Sequence, residues 1–313
     1  MKHAKNINRR YVALGDLVVD CYYEEGKLLK VDGGASRFNV ICNLAARGNQ
    51  TRVISACGND YLGEIALCSL KSQNVDTEFV KRIGEQTKAY HLIVEGKRHT
   101  SIKNCPICGK YTWYDTPLAS ASYCLSHLEP NDIIILDGLK DENIPIFKNA
   151  KQAKVVDVGR IKRLIPLTNE EILYLLKSAN IKIIQLNETV ANYMMARFQL
   201  ENTSQIYYLL EVPLLVITKG KDGAEFISKN LQIMKSLNHY KQELDDTGAG
   251  DAFFSVIIQS YFDHNQKIDK QWVDQTFYFA NELTCKVVSY LGARGHLWKG
   301  YWPNVYNCIC SKK

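Results

Sequence analysis

Residues Leu244–Phe254 read LDDTGAGDAFF, and this string holds the clearest chemistry in the chain. Gly248, Ala249 and Gly250 form a turn that runs straight into an apolar helical pattern, with Phe253, Ile257 and Tyr261 on one face and Phe254 and Ile258 beside it. Glycines directly before a helix let backbone N–H groups converge on an anion, and the helix dipole adds to the attraction. Asp251 falls in the first helical turn, beside any anion held there. A carboxylate so placed suits a general base that takes a proton from an attacking hydroxyl as a phosphoryl group is transferred. The structural alternative is that Asp251 only complements the helix N-terminus.

The elements that must position this segment alternate between short apolar runs and longer helical stretches. Tyr11–Leu14, Arg52–Ala56, Ile133–Leu136, Lys154–Asp157, Ile181–Leu186 and Leu214–Thr218 read as buried parallel strands, with room between them for crossover helices. This pattern predicts a doubly wound α/β sheet. Asp20–Asp32 and Thr87–Trp113 break the rhythm and read as β-hairpins around Glu25-Gly26 and Glu95-Gly96. Together they predict a small sheet standing off the main domain, a lid over a site or a decorative insertion. The expected main domain is discontinuous (11–20, 38–86 and 114–307), with the lid and substrate loop at 21–37 and 87–113 and a flexible start over 1–10.

The string Asp-x-Thr-Gly-Ala-Gly-Asp-Ala-Phe resembles the C-terminal signature of the ribokinase-like (PfkB) carbohydrate kinase family. The N-terminal half agrees: Asp32-Gly33-Gly34, then Asn39 and Arg47-Gly48, is similar to that family's first signature, and Cys57–Gly63 to its Gly-x-Asp-x-x-Gly turn. The resemblance implies a ribokinase-like, mostly parallel sheet flanked by helices with a small β-sheet lid. It implies ATP-dependent transfer of a phosphoryl group to an alcohol, with Asp251 as base and the backbone of Gly248, Ala249 and Gly250 as the anion hole. Asp20, Gly33, Gly34 and Asn39 would hold the substrate, Asp20 because two carboxylate oxygens can accept from adjacent hydroxyls; a strand-end cap is its alternative role. Thr218, Gly220 and Gly223 match the nucleotide loop, and Asn281 and Gly292 match positions near the adenine and a monovalent-cation loop, which brings a potassium requirement into view.

Two departures stand out. Asp246 replaces the usual Thr or Ser. Asn187 matches the Asn of the family's Asn-x-x-Glu motif, which holds Mg2+ through water, but the Glu position is Val190, leaving Glu188 as the nearest acid. This motivates an alternative in which the chain is a catalytically impaired nucleotide- or sugar-binding member. A nucleoside kinase with the same machinery is the other alternative, with Tyr22, Tyr23, Tyr111 and Trp113 against a base or, instead, forming the apolar face of the lid. Arg37 and Arg160 are candidates for an acidic group on the substrate; a solvated loop arginine is the alternative for Arg37.

Cys105-Pro-Ile-Cys108-Gly-Lys is shaped like a zinc knuckle, in which two thiolates share one metal and Gly109 permits the turn. A tetrahedral site needs two further ligands; Cys308 with Cys310, His99 and Cys124 are candidates. Two ordinary thiols or a redox-sensitive pair are the alternatives. Among the other cysteines, Cys21, Cys42, Cys57, Cys68 and Cys285 lie in apolar patterns and read as small buried hydrophobes.

Bulk properties narrow the class. At 313 residues the chain can build one large α/β domain or two ordinary ones, and 46% hydrophobic with 23% charged residues is an ordinary globular balance. A net charge of +6 without a long basic run fits anionic nucleotides and gives no sign of nucleic-acid binding. No apolar run approaches the roughly 20 residues that span a bilayer. The N-terminus lacks an apolar stretch before a cleavage site, so the expectation is a cytoplasmic chain with reduced thiols. The lid hairpins are a candidate dimer surface, because exposed sheet faces need covering.

Overall fold

The computed structural model describes residues 9–84, 86–96, 98–113, 118–139, 141–178, 180–236 and 243–297, with Cys308 and Cys310. Thirteen strands are found among them: β1 (Arg10–Asp16), β2 (Val18–Glu24), β3 (Lys27–Gly33), β4 (Thr51–Cys57), β5 (Asp76–Arg82), β6 (Lys88–Glu95), β7 (Arg98–Ile102), β8 (Asp132–Asp137), β9 (Ala153–Val158), β10 (Ile181–Asn187), β11 (Leu214–Thr218), β12 (Ala224–Ser228) and β13 (Leu231–Lys235). The helices are α1 (Ser36–Ala46), α2 (Tyr61–Lys71), α3 (Ala121–Ser126), α4 (Ile144–Asn149), α5 (Asn169–Ser178), α6 (Glu188–Phe198), α7 (Thr203–Leu210), α8 (Ala249–Asp263) and α9 (Lys270–Val287).

Two compact units emerge. The first comprises Met1–Tyr11, Leu128–Tyr240 and Phe253–Glu282. It carries six strands of the large sheet in the order β13-β12-β11-β10-β9-β8. From β8 to β11 the pairing is parallel, with Ile183 opposite Leu214 and Ile135 opposite Val155, and β12 and β13 finish the edge as an antiparallel hairpin. Every residue of β8 is buried, as expected for a strand covered on both faces. The turn from β11 to β12 needs Gly223: its φ is +103°, and a Cβ there would lie 1.8 Å from the Lys235 carbonyl oxygen. Arg10 opens β1 and pairs with Asp132 at 3.0 Å, so ordered structure begins inside the stretch expected to be flexible; residues 1–8 lie outside the described residues.

The second unit comprises Val12–His127, Lys241–Ala252 and Leu283–Lys313. It holds the β1-β4-β5 part of the large sheet and a four-stranded sheet in the order β3-β2-β6-β7. Both expected hairpins are there. β2 and β3 join through Glu25 (φ 48°) and Gly26 (φ 75°), the left-handed pair that a two-residue hairpin turn requires. β6 and β7 pair from His91–Ile102 to Glu95–Arg98. The small sheet is longer than expected, since β2 starts at Val18, and it packs with α2 inside this unit rather than forming a unit of its own. Tyr22 and Tyr23 are almost completely buried in it.

Candidate functional site

Asp251 lies in the first turn of α8, and its carboxylate is held by α1. The Ser36 hydroxyl donates to Oδ1, and Asn39 Nδ2 donates to Oδ2 at 2.7 Å. Two donors from one helix fix the orientation of the carboxylate, and one of them is an alcohol. Gly248 (φ 83°) sets the chain turn into α8, and a Cβ on it would lie 2.5 Å from that of Ala293. The Ala249 N–H is committed to the turn through the Asp246 carbonyl at 3.1 Å, while Gly250 is exposed at the helix start.

α1 is aimed by the loop before it. Gly33 ends β3, and the Gly34 N–H donates to the Val18 carbonyl at 2.9 Å. Asp20 of β2 lies directly against this loop: a Cβ on Gly34 would stand 2.6 Å from its carboxylate. Burial pushes the Asp20 carboxyl up to about 7; Arg294 pulls the other way, and Asp32 and Asp251 add to the rise. Asp20, Gly33, Gly34 and Asn39 therefore gather with Asp251 as the sequence predicts.

Arg294 joins this group and was not foreseen. It is 3% exposed. Its Nε donates to Asn39 Oδ1 (2.9 Å), Nη1 to Ser69 Oγ (2.8 Å) and Nη2 to the Gly34 carbonyl (3.0 Å). The Ser69 hydroxyl in turn donates to Asp32 Oδ1 at 2.6 Å. One guanidinium thus orients the residue that orients Asp251, and supplies positive charge beside Asp20. Ser36 was equally invisible in the sequence. The signal for Arg294 would have been a buried polar side chain, which a motif does not reveal.

Asp245 fastens the loop preceding α8. It is fully buried, and Oδ1 accepts from the Thr247 N–H (2.7 Å) and lies 2.6 Å from His99 Nε2, while Oδ2 accepts from the Gly292 N–H (2.5 Å). His99 Nε2 also lies 2.9 Å from Thr247 Oγ1. A Cβ on Gly292 would meet the Tyr22 ring at 2.9 Å. Gly292, expected near a nucleotide, is thus an anchor point for this loop. Asp246 is exposed.

Arg37 was a candidate for an anionic group on the substrate, with a solvated loop arginine as the alternative. Instead it is 1% exposed, pairs with Asp16 and lies across Gly15, where a Cβ would stand 2.5 Å from its guanidinium carbon. It braces the end of β1. Arg160 is exposed on the first unit, at the start of a short 3-10 turn after β9.

The expected nucleotide residues are in the first unit, Gly292 excepted. Thr218 ends β11, Gly220 (φ 55°) and Gly223 shape the following turn, and Asn281 lies half-buried on α9. Asn187 caps α6: Oδ1 accepts from the Val190 N–H and Nδ2 donates to the Gly159 carbonyl, both at 2.9 Å. Glu188 is exposed and Val190 is 1% exposed. Mg2+ favours carboxylates and phosphates. Asn187, bonded to two backbone groups, exposed Glu188 and buried Val190 offer no set of direct Mg2+ ligands; the role expected for Asn187 was through water. Among the described residues no helix is long and apolar enough to cross a membrane.

Replacing Arg294 by Met keeps the apolar stem and removes the guanidinium. Asn39, Ser69 and the Gly34 carbonyl then lose a buried donor, and Asp20 loses its countercharge. The expected loss is about 3 kcal/mol in urea unfolding. A loss below about 1 kcal/mol would show that the clamp does not hold the site together.

The pattern of residues and the fold agree with comparison to known proteins. Residues 10–299 match the pfkB family carbohydrate kinase profile. An ATP-dependent 6-phosphofructokinase of Thermoanaerobacterium thermosaccharolyticum is 24% identical over 71% of this chain and 70% of its own length. A guanosine-inosine kinase of Exiguobacterium acetylicum is 24% identical over 74% and 77%. Among solved structures, a fructokinase from Vibrio cholerae, bound to fructose, ADP and potassium, superposes with a TM-score of 0.69 at 18% identity, covering 92% of this chain and 95% of that one. Aminoimidazole riboside kinase from Salmonella enterica gives 0.68 at 21% identity, over 92% and 96%. With its signatures in order, its ribokinase-like sheet and a profile match spanning nearly its whole length, the chain belongs to the pfkB family of carbohydrate kinases.

Proposed function

We propose that the chain transfers the γ-phosphoryl group of ATP to an alcohol group of a sugar or sugar derivative, with Asp251 as general base. The observation that carries this reading is the Asp251 carboxylate in the first turn of α8, oriented by Ser36 and Asn39 and already accepting from an alcohol. In the reaction the substrate hydroxyl would take the place of Ser36. Its proton passes to Asp251, its oxygen bonds to the γ-phosphorus, and the bond from that phosphorus to the β-phosphate oxygen breaks to release ADP. The α8 N-terminus, with the backbone of Gly248 and Gly250, would take up charge on the transferring group. Asp20 would grip neighbouring hydroxyls.

A sugar is favoured over a nucleoside by three of the four lid aromatics, Tyr111 being 45% exposed. Tyr22 and Tyr23 are buried in the small sheet rather than offered to a base, and Trp113 packs edge-on to Tyr90 with ring centres 5.2 Å apart.

ADP release from MgATP, measured across sugars, sugar phosphates, sugar acids and nucleosides, tests the assignment. Release stimulated by a sugar or sugar derivative is expected. Stimulation by nucleosides alone would move the acceptor to that class. Ligand-induced stabilisation with no acceptor-dependent ADP would establish a binding protein in place of a kinase.

The elevated Asp20 carboxyl adds a pH dependence. Below about 7 it is neutral, and one of its oxygens becomes a donor and no longer accepts from a hydroxyl. kcat/KM for the acceptor should therefore fall by about tenfold per unit as pH drops below about 7. Asp20→Asn should be weaker and flat over the same range. A flat wild-type profile between about pH 5 and 7 would remove Asp20 from substrate binding.

A further inference from the structure

Four of the ten cysteines converge at one place, from two stretches about 200 positions apart in the chain. Cys105, Cys108, Cys308 and Cys310 have sulfurs that all lie within 4.8 Å of one another. The Cys308 sulfur is 3.5 Å from that of Cys105 and 3.2 Å from that of Cys108. These spacings are far too long for a disulfide, whose sulfurs are about 2.0 Å apart. They approach the edge of a tetrahedron with sulfurs about 2.3 Å from a central zinc, which is about 3.8 Å.

The surroundings have the features of a thiolate metal site. After β7 the chain makes a tight turn: the Gly109 N–H donates to the Cys105 carbonyl at 2.8 Å, with Gly109 at φ 72°. Asn104 Nδ2 closes the turn on the Gly109 carbonyl at 2.8 Å. Within it the N–H groups of Cys108 and Ile107 point to the Cys105 sulfur. On the other stretch the Cys310 N–H donates to the Cys308 sulfur at 3.4 Å. Lys110 Nζ donates to the Cys310 carbonyl at 3.2 Å, which places a cation beside a group that would carry net negative charge. Behind Cys105 the buried Tyr23 hydroxyl lies 3.7 Å from its sulfur and 3.0 Å from His91 Nδ1, a second layer of support.

We propose that Cys105, Cys108, Cys308 and Cys310 form a structural site for one Zn2+, which fastens the segment carrying Cys308 and Cys310 to the turn after β7. The metal has four protein ligands and no open position, so it takes no part in phosphoryl transfer. Binding by four thiolates releases the thiol protons as the ion enters.

The test uses the full chain produced in zinc-supplemented medium and desalted. Elemental analysis should give about one zinc per chain. The Cys105→Ser/Cys308→Ser variant should lose it, and Cys124→Ser should keep it. Because the double variant could fail to fold, the wild-type chain exchanged with Co2+ supplies a second readout: the visible and thiolate charge-transfer bands of a tetrahedral sulfur-bound cobalt are expected. Octahedral or absent cobalt bands, zinc retained by the double variant, iron in place of zinc, or a Cys105–Cys308 disulfide in non-reduced peptide maps of a zinc-free chain would each overturn the proposal.

Discussion

The buried Arg294 guanidinium is the interaction on which the candidate site depends. A charged side chain only 3% exposed is costly unless it is fully hydrogen-bonded, and here Asn39, Ser69 and the Gly34 carbonyl each accept from it. Its partners are not interchangeable surface groups. Gly34 shapes the entry to α1, and Asn39 on that helix holds Asp251. Ser69 ties the arginine to Asp32, which in turn accepts from the Gly33 N–H at 2.8 Å. Acids that would repel one another, Asp20, Asp32 and Asp251, are collected around this cation. The arrangement also explains why glycines occupy 33 and 34: a Cβ on Gly33 would lie 2.4 Å from Arg294 Nη1, and one on Gly34 would strike Asp20.

A second fastening acts on the loop before α8. Asp245, fully buried, accepts from the Thr247 and Gly292 N–H groups and meets the His99 ring of β7. The acid that opens the signature therefore links the small sheet to the loop that delivers Asp251. The orientation of Asp251 is thus set by Ser36 and Asn39 of α1 and, through Asn39, by Arg294, rather than by the signature alone.

The sequence made the six buried strands legible because each is a short apolar run closed by a polar or glycine residue; Tyr11–Leu14 and Leu214–Thr218 fall within or on β1 and β11. Both hairpins were readable from Glu25-Gly26 and Glu95-Gly96. The edge strands β5 and β13 were not, since their exposed faces break up the apolar run, as in Asp76–Arg82. α6 and α7 end at Gln199 and Glu211 with positive φ, where no glycine announces the stop. In the site, motif spacing located Asp20, Gly33, Gly34, Asn39 and Asp251. It misjudged the surroundings of Arg37, whose half-buried partner Asp16 is a tertiary matter, and it could not see Arg294, which belongs to no motif. The same limit applied to the cysteines: Cys105 and Cys108 announced half a site, and only the fold brings Cys308 and Cys310 to it.

The most direct test is to compare turnover and ATP affinity in the wild type and Asp251→Asn, which keeps the shape of the side chain and its contact with Asn39 or Ser36 while removing its basicity. With Asp251 as base, turnover on the true acceptor falls by about 100-fold or more and ATP dissociation stays within about threefold. Turnover within about tenfold of the wild type would contradict that role and leave Asp251 as a structural complement to the N-terminus of α8.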